Sequence, residues 1–151
     1  MINQRYVLKK ELGRGRSRVF LCNDLEFPEI DIALKVLSKD AGENERNIFR
    51  NEFFTLKKLN HPGIIKAFEF STVMNCDPAD FDVETGSLFF TLEYFPGNTI
   101  GDIDFSDDPT LLKEIIKQIC STLFYLHLSD YIYFDLKLKI YFARLMITLQ
   151  K

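Results

Sequence analysis

The chain has 151 residues, 46% of them hydrophobic, enough for one ordinary domain or for one small domain plus part of another. A net charge of −3 with scattered Lys and Arg argues against nucleic acid as a main ligand, because phosphate backbones select basic faces. Three distant cysteines, Cys22, Cys76 and Cys120, offer neither a zinc spacing nor a disulfide framework, and MINQRYVLKK has no signal-peptide core, so a reducing, cytoplasmic setting without membrane insertion is expected.

Residues 5–12 and 19–23 read as two strands joined by a Gly/Arg/Ser turn. A third strand, rich in branched aliphatics, is expected at Ile30–Leu37. Lys39–Asn47 is polar and reads as a loop. Phe49, Phe53, Leu56 and Leu59 recur at helical spacing, and His61-Pro62-Gly63 ends that pattern. Strands four and five are expected at Ile64–Phe70 and Ser87–Tyr94. The segment between them, Thr72–Gly86, carries four acidic residues and Pro78, which predicts an exposed, mobile loop.

Pro96-Gly97-Asn98 has the composition of a linker, and Asp102–Asp108 has room for a short helix or none. The clearest helix follows, at about 110–128. Asp108 suits its N-cap and Pro109 its first position. Leu111, Ile115, Ile119 and Leu123 form one apolar row; Leu112, Ile116, Cys120 and Phe124 form the adjacent one. Strands first, without regular alternation with helices, predict a mixed antiparallel α+β fold and not a doubly wound parallel sheet.

Three positions could carry chemistry. Gly13 and Gly15 lie between two strands, either as a convenient hairpin turn or as a backbone that phosphate oxygens can approach. No helix follows them, which argues against Rossmann and Walker loops. Lys35 interrupts an apolar strand, so its ammonium either snorkels to water or meets an anion; Glu52, on the following helix, could supply the carboxylate. Asp135, in Tyr133-Phe134-Asp135-Leu136-Lys137, is either an ordinary loop residue or a base for a hydroxyl proton, with Lys137 beside it to steady a phosphate.

Together these motifs change the reading. ELGRGRSRVF (11–20), ALKVL (33–37), a helical Glu52, His61-Pro62, Leu92-Glu93-Tyr94 and YFDLK (133–137) follow the order of motifs in protein kinases, and the chain resembles that family from about residue 5 to 137. FRNEFFTLKKLNHPGIIKAFEF is most similar to bacterial serine/threonine kinases. The resemblance implies a five-stranded antiparallel N-lobe with one helix over residues 1–95, then a partial C-lobe over 96–137. It implies ATP and magnesium as cofactors and a protein substrate or partner. Gly13 and Gly15 would cover the phosphates, with Val19 and Ala33 packed on adenine. Lys35 would bind the α- and β-phosphates and pair with Glu52. Leu92 would be the gatekeeper, with Glu93 and Phe95 offering hinge backbone groups. Asp135 would be the catalytic base and Lys137 the phosphate-steering lysine.

The chain also departs from the family. The glycine turn is one residue short, with Ser17 near the third glycine. Tyr133-Phe134 replaces His-Arg. Leu138-Lys139-Ile140 stands where the family has Pro-Glu-Asn, whose Asn binds magnesium, and no Asp-Phe-Gly occurs. Pro-Glu-Asn-Ile can be written CCT GAA AAT ATA; losing a C gives CTG AAA ATA TAN, which encodes Leu-Lys-Ile-Tyr, the residues at 138–141, when N is T or C. Residues 138–151 therefore read either as a frameshifted tail or as a divergent natural segment; genomic DNA after codon 137 decides between them. Leu138, Phe142, Leu145 and Leu149 share a helical face that could pack on the preceding helix. The expected function is a truncated serine/threonine kinase domain with little activity. The rivals are a non-catalytic kinase-like binding module and a small-molecule phosphotransferase with a kinase-like fold.

Overall fold

The computed structural model of the chain describes residues 1–77, 81–96, 100–104, 109–133 and 149–150. The chain divides into two compact units: Met1–Phe54 with Ala67–Tyr94, and Thr55–Lys66 with Phe95–Lys151.

The first unit is built on an antiparallel five-stranded sheet in the order β1-β2-β3-β5-β4. Its strands are β1 (Tyr6–Arg14), β2 (Ser17–Asp24), β3 (Asp31–Leu37), β4 (Ala67–Thr72) and β5 (Leu88–Glu93). The expected α+β class and strand sequence hold. The first hairpin is longer than its composition suggested, because Gly13 and Arg14 stay in the ladder, opposite Val19 and Arg18. β1 absorbs two register shifts on the way, at Leu8/Lys10 and Glu11/Gly13.

Between β3 and β4 runs α1 (Glu43–Lys58). The expected loop at Lys39–Asn47 is therefore corrected: its second half is helix. Glu43, Glu45 and Arg46 give no apolar period, but Gly42 caps them. Its N–H donates to Glu45 Oε2 at 3.1 Å, and its carbonyl accepts the first helical bond from Arg46 at 3.0 Å. Acidic Glu43 and Glu45 at the start and basic Lys57 and Lys58 at the end match the helix dipole. Phe49 and Phe53 from α1 are buried, with ring centroids 4.6 and 5.8 Å from that of Phe90 on β5.

The opposite face of the sheet is also covered. Ile32, Leu34 and Val36, alternate residues of β3, pack there with Tyr6, Phe20, Cys22 and Phe89. The lid over them comes from the N-terminus (Ile2) and the β4–β5 connection (Val73, Cys76, Phe81, Val83). The expectation that Thr72–Gly86 is an exposed loop holds only in part: Met74, Asn75, Asp77, Asp82, Glu84 and Thr85 are exposed, but the segment also carries anchors. Val73 is fully buried, and its neighbours supply apolar anchors that a count of acidic residues conceals. Burial drives the Cys22 thiol up to about 12, which makes it a core side chain without nucleophilic character.

Asn3 pins this lid. Its Nδ2 donates to Thr72 O at 2.9 Å, and its Oδ1 accepts from the N–H groups of Met74 and Asn75 at 2.8 and 3.3 Å. Asn3 has φ 49°, a left-handed conformation that Asn tolerates better than most residues. Asn3→Ala is expected to destabilise the chain by about 2 kcal/mol in urea unfolding, since amide and carbonyl groups lose their partners at once. A change below roughly 0.5 kcal/mol, the range of ordinary surface substitutions, would show that the clamp is incidental.

In the second unit, a short 3-10 helix at Ile100–Asp102 precedes α2 (Pro109–Leu128), and β6 (Ile132–Tyr133) pairs with β7 (Leu149–Gln150). Pro109 opens α2 as expected, while Asp108, Gly97 and Asn98 lie outside the described residues. Only one of the two predicted rows on α2 is covered. Ile115 is buried and Leu111, Ile119 and Leu123 are half-buried, whereas Leu112, Ile116, Cys120 and Phe124 are exposed. Leu149 sits in a strand, which corrects its assignment to a helical face; Leu138, Phe142 and Leu145 lie outside the described residues. The turn after α1 is fixed by its own residues and by Tyr125 of α2. Gly63 N–H donates to His61 Nδ1 at 3.0 Å, His61 stacks on Tyr125 at 5.1 Å, and Asn60 N–H donates to the Tyr125 hydroxyl at 2.9 Å.

Candidate functional site

The site grows from the period of β3. Ile32, Leu34 and Val36 serve the lidded core, so Ala33 and Lys35 face the α1 side. Strand register then assembles a row. Gly13 is opposite Val19, Val19 opposite Lys35, and Lys35 opposite Phe90. Directly paired residues share a face, so Gly13, Val19, Lys35 and Phe90 line up across four strands. One step along, Ala33 lies between Leu21 and Leu92. Leu92 and Ala33 are buried and Val19 is half-buried.

Above this row α1 presents Glu52. Lys35 Nζ donates to Glu52 Oε1 at 2.5 Å, and the two side chains are only 14% and 13% exposed. The ammonium also lies 5.5 Å from the ring centroid of Phe90 and 5.9 Å from that of Phe49. Two ring faces and one carboxylate thus offset its partial desolvation, while some exposure remains through which an anion can reach it. Of the two sequence readings of Lys35, snorkelling and anion pairing, the geometry is that of pairing.

The two glycines are not demanded by the fold itself. Neither adopts left-handed φ, and a Cβ at either position would meet no atom within 4 Å. Space beside both backbones is open to an approaching group. Gly15 N–H donates to Ser17 O at 3.0 Å and closes the turn. Glu11, on β1, accepts from both Arg14 and Arg18, and these guanidiniums hold its carboxyl down to about 2.

Glu93 is opposite Ile32 and so lies on the other face of the sheet from Lys35. Phe95 belongs to the second unit, where it lines a cavity with His61, Gln118 and Thr122. Asp135 and Lys137 lie outside the described residues. Phe49, Phe90 and Leu21 were missed in the sequence. Phe49 was legible as the residue three before Glu52 on the same helical face, but Phe90 and Leu21 emerge only once the strands are paired.

Among the described residues no group of three or more His, Cys, Asp or Glu could hold a metal ion, and residues 138–151 contain no Asp, Glu or Asn. On one sheet face lie the partly exposed Lys35 side chain, the open backbone of Gly13 and the apolar side chains of Val19, Ala33 and Leu92.

The family model for the protein kinase domain matches residues 6–141. The chain belongs to the protein kinase family. Serine/threonine-protein kinase PknB of Mycolicibacterium smegmatis is 32% identical over 143 residues, 90% of this chain and 21% of that protein. PknB of Mycobacterium tuberculosis is 31% identical over the same length. A probable serine/threonine-protein kinase of Dictyostelium discoideum is 30% identical over 138 residues, 89% of this chain and 25% of the relative. This kinase chain thus spans about a fifth of the PknB proteins it matches. Its five-stranded sheet and α1 are those of a kinase N-lobe, and α2 begins part of a C-lobe. Among its described residues no helix is long and apolar enough to cross a membrane.

Proposed function

We propose that the N-lobe of this serine/threonine kinase chain binds ATP on the face that carries Lys35. The observation that supports this most is the Lys35–Glu52 pair, half-sheltered beside two aromatic rings and in register with Gly13. Lys35 would hold the α- and β-phosphates, with the backbones of Gly13 and Gly15 over them. Val19, Ala33 and Leu92 would floor the adenine, and backbone groups at Glu93 would meet its edge. In the intact protein the activity would be phosphorylation of protein hydroxyls, with Asp135 as base and Lys137 steadying the phosphoryl group.

The 151-residue chain is expected to bind ATP and transfer phosphate no faster than background. Leu138-Lys139-Ile140 offers no side-chain oxygen for magnesium, and neutralising charge on the phosphoryl group carries most of such catalysis. Calorimetry with ATP and adenosine, beside a γ-phosphate transfer assay on a generic protein substrate, checks both halves. Absence of saturable ATP binding would refute the first, and robust transfer the second.

A second reading is a non-catalytic protein-binding module, favoured by the exposed row Leu112, Ile116 and Phe124 on α2. Partner capture that survives Lys35→Ala and is lost when that row is made polar would favour it.

A further inference from the structure

Arg18 ties the strands that flank the glycine turn to the β4–β5 connection. It lies on β2 opposite Arg14, just past the turn, and beside Val36 of β3. Its Nη1 donates to the carbonyls of Phe81 and Asp82 at 2.7 and 3.1 Å. Nη2 donates to Glu11 Oε2 at 2.7 Å and Nε to Glu11 Oε1 at 3.4 Å. The guanidinium also covers the Phe20 ring at 4.8 Å, and that ring meets Phe81 at 5.3 Å. Asp82 holds φ 46°, a left-handed conformation uncommon outside glycine, while its carbonyl accepts from Arg18. One planar fork thus joins β1, β2 and the long β4–β5 connection.

We infer that Arg18 is a positioning residue: through it the β4–β5 connection holds the glycine turn in place, so that affinity for the nucleotide's phosphates depends on that connection as well as on the turn itself. This rests on the ATP reading above. A glycine ribbon carries more conformational freedom than other backbone, and ordering it on phosphate binding has a free-energy cost. An anchor that restricts the ribbon beforehand lowers that cost. Lys at this position could not reproduce the effect, because a point ammonium cannot grip two carbonyls and a carboxylate in one plane.

The test compares wild-type chain with Arg18→Ala and Phe81→Ala, the second loosening the loop end of the anchor without touching the turn. ATP and adenosine affinities are measured by calorimetry, and amide hydrogen exchange is followed at residues 13–17. In both variants the ATP dissociation constant is expected to rise about tenfold while that of adenosine moves by less than about twofold, with faster exchange at 13–17. Unchanged exchange there in the folded variants, or equal losses for ATP and adenosine, would overturn the anchor. If wild-type chain binds no ATP, the nucleotide reading fails by itself, and the exchange rates still decide whether Arg18 holds the turn.

Discussion

Lys35→Met is expected to weaken ATP binding by about 100-fold, a loss of roughly 3 kcal/mol, because a charge-assisted contact in a partly desolvated site disappears without replacement. The same change also strands Glu52. Its side chain is 13% exposed and its carboxylate faces the site of the missing ammonium, so stability is expected to fall by about 2 kcal/mol, less than for a fully buried pair. The two losses separate in the double variant Lys35→Met/Glu52→Met. Two apolar side chains next to Phe49 and Phe90 should recover most of the stability, since replacing both partners removes the orphaned charge. ATP affinity should stay low. Calorimetry and urea unfolding on the four proteins of this cycle give both numbers. A folded Lys35→Met chain that binds ATP like wild type would remove the support for a phosphate role at this position.

Much of this site was legible because its chemistry is expensive where it sits. A lysine inside an apolar strand calls for an anion, and a helical glutamate 17 residues later supplied it. The apolar positions Phe49, Phe53, Leu56 and Leu59 are all buried, as their spacing required. What stayed hidden had no periodic signal. The first turns of α1 are polar and owe their start to Gly42 and Glu45, so composition alone marked them as loop. The β4–β5 connection was misread for the opposite reason. Its acidic residues dominate its composition, yet Val73, Cys76, Phe81 and Val83 help Ile2 to cover one face of the sheet. The Arg18 fork was hidden too, since beside Glu11 its partners are backbone carbonyls more than 60 positions away. Side chains reading backbone leave no pattern in residue identity.

The close approach of Gly63 to Thr122 in the second unit makes a separate prediction. A Cβ on Gly63 would stand 2.0 Å from Thr122 Oγ1, 3.1 Å from Thr122 Cβ and 3.2 Å from His61 Nδ1. Thr122 cannot simply turn away. It is 2% exposed, and its hydroxyl donates to Gln118 O at 2.8 Å, one helical turn back. Rotation would forfeit that bond and leave the tight Cβ contact in place, so the His61–Gly63 turn and α2 must separate. Gly63→Ala is therefore expected to cost about 3 kcal/mol, at the upper end of overpacking effects. Separation would also strain the Asn60–Tyr125 hydrogen bond and the His61–Tyr125 stack, which fix the same turn. Thr122→Ala alone should cost about 1 kcal/mol, a buried methyl and a modest hydrogen bond. Combined with Gly63→Ala it should recover at least about 1 kcal/mol of the loss, because deleting Oγ1 removes the worst overlap. Thermal and urea unfolding of the four proteins measure this coupling. Additive losses, or a Gly63→Ala chain as stable as wild type, would mean that α2 and the turn do not meet at this distance.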